Sequence, residues 1–384
     1  MATFLPTFCV VDKKWDAVGM IVYLTTPPLT FIHAYERFFV QTIYHGSNMA
    51  KRISKKPAKK SPSRKTVKVA IIGAGGRALS AHYPSLHDMK DVKIVGVSEL
   101  NEARLQSVGE KFGVKGLYTN YVQMIEKEKP DVVYAIMPPH HMYDVCANVI
   151  QMGCHLMIEK PPFVTTEQTR QMAILARNNK VLTGVTFQRR FAPVIRKGKE
   201  ICEKRGPVHS AVATFYKCAV GGAPYYNGAI DILACDAIHA VDTLRYLCGG
   251  EVVSVASDVR RLDSGHCNIH QALITFSSGA TGVLLTNWMT GRRLFSVEIH
   301  SPGISMFGDP EEGGKVFADG KVDPVQELDP FAMTKSKAEH VAYGPFAVNR
   351  HLIDCVKQGK QPETNFDDAV KSMELVDAIY QSQI

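Results

Sequence analysis

Residues 67–78, VKVAIIGAGGRA, decide the fold of the first half of the sequence. Val67–Ile72 is a largely apolar, β-branched run, which is typical of a strand buried on both faces of a parallel sheet. It leads directly into the pattern G-x-G-x-x-A at residues 73–78, and a helical pattern follows as far as Leu86. A strand, a glycine-rich turn and a helix in this order are the context in which the pattern binds a dinucleotide.

Each small residue of this turn has a steric reason. Gly73 permits the tight turn, Gly75 lets the backbone approach a pyrophosphate, and Ala78 lets the helix pack closely on the strand. The first amides of the helix then donate to the anion. We therefore predict that Gly73, Gly75, Gly76 and Arg77 bind the cofactor.

The second predicted strand, Val92–Ser98, is followed by an acidic residue, Glu99. A carboxylate at this strand end accepts hydrogen bonds from the adenosine ribose and repels a 2′-phosphate, so it favours NAD over NADP. Arg77 in the turn and Arg104 in the next helix could each hold a phosphate, so NADP stays possible. The alternative for Glu99 is an ordinary solvated loop acid.

Strands and helices continue to alternate after this point. Repeated β-α-β units indicate a doubly wound parallel sheet, in which ligands bind outside the carboxyl ends of the strands. Helices are predicted near residues 101–113, 120–128 and 141–152, and strands at residues 131–137 and 155–158.

Two polar motifs follow strands of this predicted sheet. They are PPHH at residues 138–141 and EKPP at residues 159–162. Prolines fix φ and restrict the preceding residue, so the Lys160 ammonium is held with little backbone freedom. We predict that Pro138, Glu159 and Lys160 contact the cofactor.

A second group of reactive side chains lies in a helical pattern over residues 232–247. Asp236, His239 and Asp242 are spaced by three residues and therefore share roughly one face. Histidine titrates near neutrality, which suits a base that takes a hydroxyl proton while hydride leaves the same carbon. A lysine beside it would stabilise the developing alkoxide. We predict Lys160, His239 and Asp236 as catalytic residues; a capped core histidine or a structural ion pair is the alternative.

These motifs together resemble the Gfo/Idh/MocA family, the nicotinamide enzymes of the glucose–fructose oxidoreductase and inositol dehydrogenase type. The similarity runs from about Val67 to the C-terminus and includes residues 159–161 (EKP), 188–193 (QRRFAP) and 236–242 (DAIHAVD). The resemblance implies a Rossmann domain followed by an α/β domain with a large open-faced, mostly antiparallel sheet. It also implies a sugar, sugar derivative or cyclic polyol as substrate, and a homodimer or homotetramer that covers the open sheet face.

The predicted domain organisation has three parts. Residues 1–65 form a basic leader, residues 66–187 the NAD-binding Rossmann domain, and residues 188–384 the domain for substrate binding and oligomerisation. Strand patterns in the last part fall at residues 208–216, 250–259, 270–276, 281–287, 295–300 and 304–307.

The substrate-facing side of the site departs from the family pattern. Inositol-dehydrogenase-like members have a carboxylate four residues before the catalytic histidine, where this sequence has Cys235, and Asp236 is displaced by one residue. We predict Arg190, Tyr226 and Asp242 as substrate contacts. These departures leave open which sugar or polyol is used, and whether Asp236 replaces the missing carboxylate.

The charge of the chain is concentrated in the leader. Of the formal net charge of +8 over 384 residues, all comes from residues 51–65, which hold eight basic and no acidic side chains. A nucleic-acid-binding protein spreads its positive charge over a folded face, so we predict no nucleic-acid partner. We interpret residues 1–65 as disordered or artefactual, with Met49 as the start. An interfacial membrane segment followed by a polybasic patch is the alternative.

Hydropathy and cysteine usage bear on the compartment. No stretch of about 18 strongly apolar residues occurs, so we predict no membrane-spanning segment. The nine cysteines form no C-x-x-C pair, which predicts reduced thiols in the cytoplasm. No metal site is predicted.

Three functions are compatible with these residues. The first is an NAD-dependent dehydrogenase acting on a secondary alcohol. The second is a glycosidase or lyase in which bound NAD oxidises the sugar transiently, and the third is a regulator that senses the cofactor without turnover. The presence of both Lys160 and His239 argues against the third.

Overall fold

The computed structural model describes residues 66–384, so the predicted leader lies outside the described residues. Within this range, six parallel strands form a doubly wound sheet in the order 3-2-1-4-5-6, which confirms the predicted Rossmann fold. They are β1 (Val67–Ile72), β2 (Val92–Ser98), β3 (Leu117–Tyr118), β4 (Val132–Ala135), β5 (His155–Ile158) and β6 (Thr183–Val185).

Helices connect these strands and cover the sheet. Asparagine or threonine side chains cap the N-termini of the second, third and fifth, as their preference for that position predicts. The helices are α1 (Tyr83–His87), α2 (Glu102–Phe112), α3 (Tyr121–Glu128), α4 (Met142–Gln151) and α5 (Thr166–Asn179). A π-helical turn, Ala78–His82, runs directly into α1, and a short 3-10 turn, Pro139–His141, precedes α4.

A second sheet with eight strands follows within the described chain. Its order is 14-13-12-11-7-10-9-8, and among these strands only the pair 7 and 10 is parallel, so the predicted mostly antiparallel sheet is confirmed. The strands are β7 (Ser210–Cys218), β8 (Val252–Arg260), β9 (Ile269–Phe276), β10 (Thr281–Asn287), β11 (Met289–Ser301), β12 (Ile304–Asp309), β13 (Gly313–Ala318) and β14 (Gln326–Leu328).

Two helices cover one face of the second sheet. Helix α6 (Pro193–Glu203) contacts β11 and β12, and α7 (Ile238–Cys248) contacts β7 and β10. A π-helical turn, Leu233–Ala237, leads into α7. The opposite face carries exposed apolar side chains, among them Leu273 and Phe307.

The C-terminal helices return to the first sheet. They are α8 (Pro330–Thr334), α9 (Glu339–Ala342), α10 (Pro345–Gln358) and α11 (Phe366–Gln381). Val348 and Leu352 of α10 lie in the same buried cluster as Val67 and Val69 of β1, and α11 packs against α5 and α7. The segment predicted as residues 188–384 therefore also supplies part of the core of the first sheet.

Three sequence expectations concern the described residues as a whole. Every cysteine from Cys146 to Cys355 is free. None of the helices described is long and apolar enough to cross a bilayer. No group of three or more His, Cys, Asp or Glu side chains in residues 66–384 is arranged to hold a metal ion.

Candidate active site

The glycine turn forms an open cradle at the carboxyl end of β1. Gly73 has φ +106°, and a Cβ there would overlap the carbonyl oxygen of Ile136, so only glycine fits. A Cβ at Gly75 or Gly76 would meet no atom within 4 Å. The backbone at these two positions therefore faces free space, which fits the close approach of a pyrophosphate.

Glu99 closes one side of this cradle. One of its carboxylate oxygens accepts a hydrogen bond from the Ala74 amide at 2.8 Å, and the other accepts one from the Asn101 amide at 3.0 Å. The carboxylate thus lies against the glycine turn, at the strand end where a ribose is bound in this fold. Arg104 is exposed in the first turn of α2.

Arg77 and Glu159, which are both predicted to contact the cofactor, form an ion pair with each other. Arg77 Nε donates to Glu159 at 2.8 Å, and a second guanidinium nitrogen donates to Gln188. His82 bridges Glu159, at 2.9 Å, and Asn349, at 3.0 Å. Burial would raise the pKa of Glu159, but Arg77 and His82 outweigh it and hold that pKa far below its usual range. This network fixes the residue before Lys160.

Lys160 reaches from the end of β5 to the turn that precedes α7. Its ammonium donates to the Asp236 carboxylate at 3.2 Å and to the Cys235 carbonyl at 3.1 Å. The other Asp236 oxygen accepts from Lys217 and, at 2.8 Å, from the Tyr225 hydroxyl. Burial would raise the pKa of Asp236, but Lys160 and Lys217 outweigh it, so this carboxylate stays charged. Asp236 therefore holds two lysines in place.

His239 lies on the same side of the site, buried to 5% exposure. Burial lowers its pKa well below 6.5, and the charges of Lys160 and Arg189 lower it further. The imidazole is therefore neutral at pH 7 and can accept a proton. Its Nδ1 has no hydrogen-bond partner among residues 66–384. The Asp236 carboxylate does not bind this ring, because its oxygens accept from Lys160, Lys217 and Tyr225.

A cavity of about 350 Å³ joins these groups. It is lined from both halves of the described chain, by Lys160 after β5 and by residues of the second sheet and α7. Its charged and titratable walls include Lys160, Arg189, Lys217, Asp236, His239 and Arg293. The three predicted catalytic residues are thus brought together in one space large enough for a small molecule.

Arg190 and Asp242 do not line this cavity, although both were predicted as substrate contacts. They form a buried ion pair with each other, and Arg190 also donates to Asp368 at 2.9 Å. Asp242 is 1% exposed. Because an uncompensated buried charge is strongly destabilising, this pair is explained by the packing of α7 on α11 and needs no substrate.

Tyr226 and Pro138 belong to two loops that approach each other. Tyr226 is 42% exposed, has φ +49°, and its ring centroid lies 5.2 Å from that of His140. His140 belongs to the strand-end motif that begins at Pro138. The predicted substrate contact is therefore placed beside the predicted cofactor edge.

Sequence reasoning missed Lys217 and Arg293. In β7 the buried residues Ala211, Ala213 and Phe215 alternate with less buried ones, and Lys217 continues their row. Arg293 continues a similar row of β11. Period-two alternation would have placed both side chains on the core face of the sheet. A basic residue at the end of a row of core-facing apolar residues could therefore have indicated a site residue.

Two family models match the chain. One, described as "Oxidoreductase family, NAD-binding Rossmann fold", matches residues 67–187. The other, "GFO/IDH/MocA C-terminal domain", matches residues 231–303. The first model confirms the prediction of an NAD-binding fold.

Individual relatives extend this match. D-glucoside 3-dehydrogenase of Escherichia coli is 34% identical to this chain over 126 residues. The aligned part covers 33% of this chain and only 36% of that protein's length. D-apiose dehydrogenase of Paraburkholderia graminis is 25% identical over 83% of this chain and 88% of its own length. A dehydrogenase from Chromobacterium violaceum has the same fold, with a TM-score of 0.75 and 21% identity over 83% of this chain and 96% of its own.

Proposed function

Because the chain belongs to the Gfo/Idh/MocA family of oxidoreductases, we propose that it is a dehydrogenase of a sugar, sugar derivative or cyclic polyol. It transfers hydride reversibly between a secondary alcohol and a nicotinamide cofactor. The observation that carries the proposal is the shared cavity of Lys160 and His239 beside the glycine cradle. Relatives named as dehydrogenases favour it over a glycosidase, a lyase or a regulator without turnover.

The side chains of the cavity divide the work of the reaction. When bound, the nicotinamide ring supplies the hydride acceptor. His239 is neutral and accepts the proton of the substrate hydroxyl as the alcohol carbon loses hydride. The Lys160 ammonium donates to the same oxygen and stabilises its developing negative charge. Asp236 holds Lys160 in place for this task.

The cradle residues would hold the cofactor. Gly75 and Gly76 leave room for the pyrophosphate, and Glu99 accepts hydrogen bonds from the adenosine ribose. We propose that NAD is preferred to NADP, because Glu99 would repel a 2′-phosphate. The hydrogen bonds of Arg77 run to Glu159 and Gln188, so it contributes little to phosphate binding.

Lys160→Ala and His239→Gln test this function. Each should lower turnover by roughly 10²- to 10⁴-fold and leave NADH affinity nearly unchanged, because both act on the hydroxyl proton. Turnover is followed by NADH absorbance with a panel of sugars and polyols, and NADH affinity by fluorescence titration. Their combined effect should fall well short of the product of the single effects.

His270→Gln is the matched control for the loss of a buried histidine. His270 is fully buried but bonds Thr286 and Tyr380 and lies outside the cavity, so its loss should affect stability rather than turnover. A near-wild-type rate for Lys160→Ala on a substrate that the enzyme turns over would contradict the assignment. NADH formed transiently without net accumulation would instead support the glycosidase or lyase.

A further inference from the structure

The positive charges beside the reactive residues exceed the negative ones. Lys160 and Lys217 both bind Asp236, one on each carboxylate oxygen. The side chains of the two lysines are only 19% and 27% exposed. A single carboxylate therefore neutralises one of two partly desolvated ammonium groups.

A second group on the same cavity wall repeats this arrangement. Glu311 accepts from Arg189 at 2.6 Å and from Arg293 at 2.7 Å. The Arg189 side chain is only 7% exposed, and its Nε and Nη1 have no hydrogen-bond partner in the described part of the chain. Buried donors of a charged group normally have partners, because leaving them unpaired is costly. The protein therefore leaves Arg189 incompletely compensated.

The other charged groups around the cavity do not restore the balance. Arg77 is paired with the buried Glu159, and His340 is paired with Asp88 at 2.9 Å. Glu339 is exposed. Among the described residues that line the cavity, five lysines and arginines face three carboxylates. Glu159 behind the wall neutralises Arg77, which leaves an excess of one positive charge.

The second sheet holds two of these cations side by side. Phe215 of β7 is paired with Phe295 of β11, and both rings are buried. Lys217 and Arg293 follow these rings on the same face, with the Lys217 ammonium 5.3 Å and the Arg293 guanidinium 5.7 Å from the Phe215 ring centre. Like charges opposite each other on neighbouring strands are destabilising. Asp236 and Glu311 offset this only in part, because each also neutralises a second cation, Lys160 and Arg189 respectively.

We propose that the substrate carries an anionic group, a carboxylate or a phosphate, bound by Arg189, Lys217 and Arg293. This inference rests on the proposed function and narrows its substrate class from sugars, sugar derivatives and cyclic polyols to the acidic compounds among them. Guanidinium and ammonium groups bind such oxyanions with charge-assisted hydrogen bonds. Lys160 and His239 line the same cavity, so an acidic sugar held at this wall also presents a hydroxyl to them.

Binding to the enzyme–NADH complex tests the proposal without relying on turnover. Isothermal calorimetry compares glucose with glucuronate, galactose with galacturonate, and glucose with a hexose phosphate. We expect the charged member to bind at least about tenfold more tightly, because it gains charge-assisted hydrogen bonds. The difference should shrink as the salt concentration rises. The uronate and phosphate arms show which oxyanion the cavity accepts.

Arg293→Gln should remove most of this preference, and Arg293→Lys should restore part of it. The side chain is 44% exposed, so the substitution spares the core. Arg292→Gln is the matched control, because its side chain is 67% exposed, pairs with Glu312 and does not line the cavity. This variant should keep the full preference for the charged sugar.

Two results overturn the inference. The first is that the charged sugar of every pair binds no more tightly than the neutral one, which includes the case in which neither binds. The second is that Arg293→Gln keeps the full preference for the charged sugar. Turnover of neutral sugars without any preference for acids would remove this inference and leave the dehydrogenase standing. If acidic sugars bind but no compound gives NADH, the anion site stands and the dehydrogenase proposal fails.

Discussion

His239 combines a buried ring, an Nδ1 without a partner in the described chain, and a pKa lowered well below 6.5. A general base must be neutral, so activity is lost only as the pH falls through the pKa of this ring. Because burial and Lys160 lower that pKa, we expect kcat/KM to stay on its plateau as the pH falls through 6.5. A pH profile of kcat/KM measures this, and an acid limb centred near 6.5 would contradict it.

Glu99 allows a second test at the level of one side chain. NADH should bind roughly tenfold or more tightly than NADPH, because a carboxylate facing a 2′-phosphate costs on the order of 1–3 kcal/mol. Glu99→Gln keeps an oxygen that can accept from the Ala74 amide and removes only the charge, so it should narrow the gap. Calorimetry with NADH and NADPH measures the difference in affinity. Equal affinities in the wild type would show that Glu99 does not discriminate between the two cofactors.

At the scale of elements, the glycines of the turn between β1 and α1 have different roles. Gly73 is required for steric reasons, whereas Gly76 leaves room for a ligand. Gly73→Ala forces a Cβ onto the Ile136 carbonyl at φ +106°, so it should lower the free energy of unfolding by a few kcal/mol. Gly76→Ala meets no atom within 4 Å and should leave the unfolding free energy within about 0.5 kcal/mol. Urea denaturation of the two variants compares them. Similar stability losses would show that the turn is not constrained as described.

The same scale shows how much the sequence could predict. Strands at Val67–Ile72, Val92–Ser98, His155–Ile158 and Thr281–Asn287 were predicted with their observed ends, because apolar runs there are bounded by clear turn residues. Strand β6 has only three residues, too few for any periodicity. The predicted ends of β4, β7 and β8 differ from the observed ends by one or two residues, and the start of β11 differs by six.

The predicted site residues lie together where strand ends define the site, and they lie apart where helix spacing was extended too far. Lys160 and Glu159 follow a strand whose carboxyl end must face the ligand. Residues spaced by six along a helix lie about 120° apart, so Asp242 turns away from the face of Asp236. The π-helical turn at Leu233–Ala237 shifts Asp236 further, and no sequence pattern indicated it.

At the scale of the molecule, charge is distributed unevenly. Residues 66–384 carry no net charge, yet the cavity and the carboxylates paired with its wall have an excess of one positive charge. The acidic side chains that balance it therefore lie outside the cavity. A low-dielectric cleft lined by one sign of charge raises the local concentration of an oppositely charged ligand.

The open face of the second sheet is the surface on which we expect a second copy of the chain to bind. Five residues on adjacent strands form a continuous row across it, and four of them are apolar: Leu273, Val283, Val212, Glu298 and Phe307. Leu273 and Phe307 at its two ends are 53% and 41% exposed. An apolar patch of this kind on a monomer is typical of an interaction surface. We therefore expect a homodimer, or a homotetramer built from it, that pairs these faces.

Leu273→Glu should weaken this association roughly tenfold or more, because it places a charge in the apolar row. Neighbouring side chains leave Leu273 half exposed, so the fold of the protomer should be unaffected. Sedimentation velocity over a range of protein concentrations measures the association. Val322→Glu is the control, since Val322 is 91% exposed in the turn before β14 and lies outside the row. A wild-type protein that sediments as a monomer at micromolar concentration would show that this face has another partner or none.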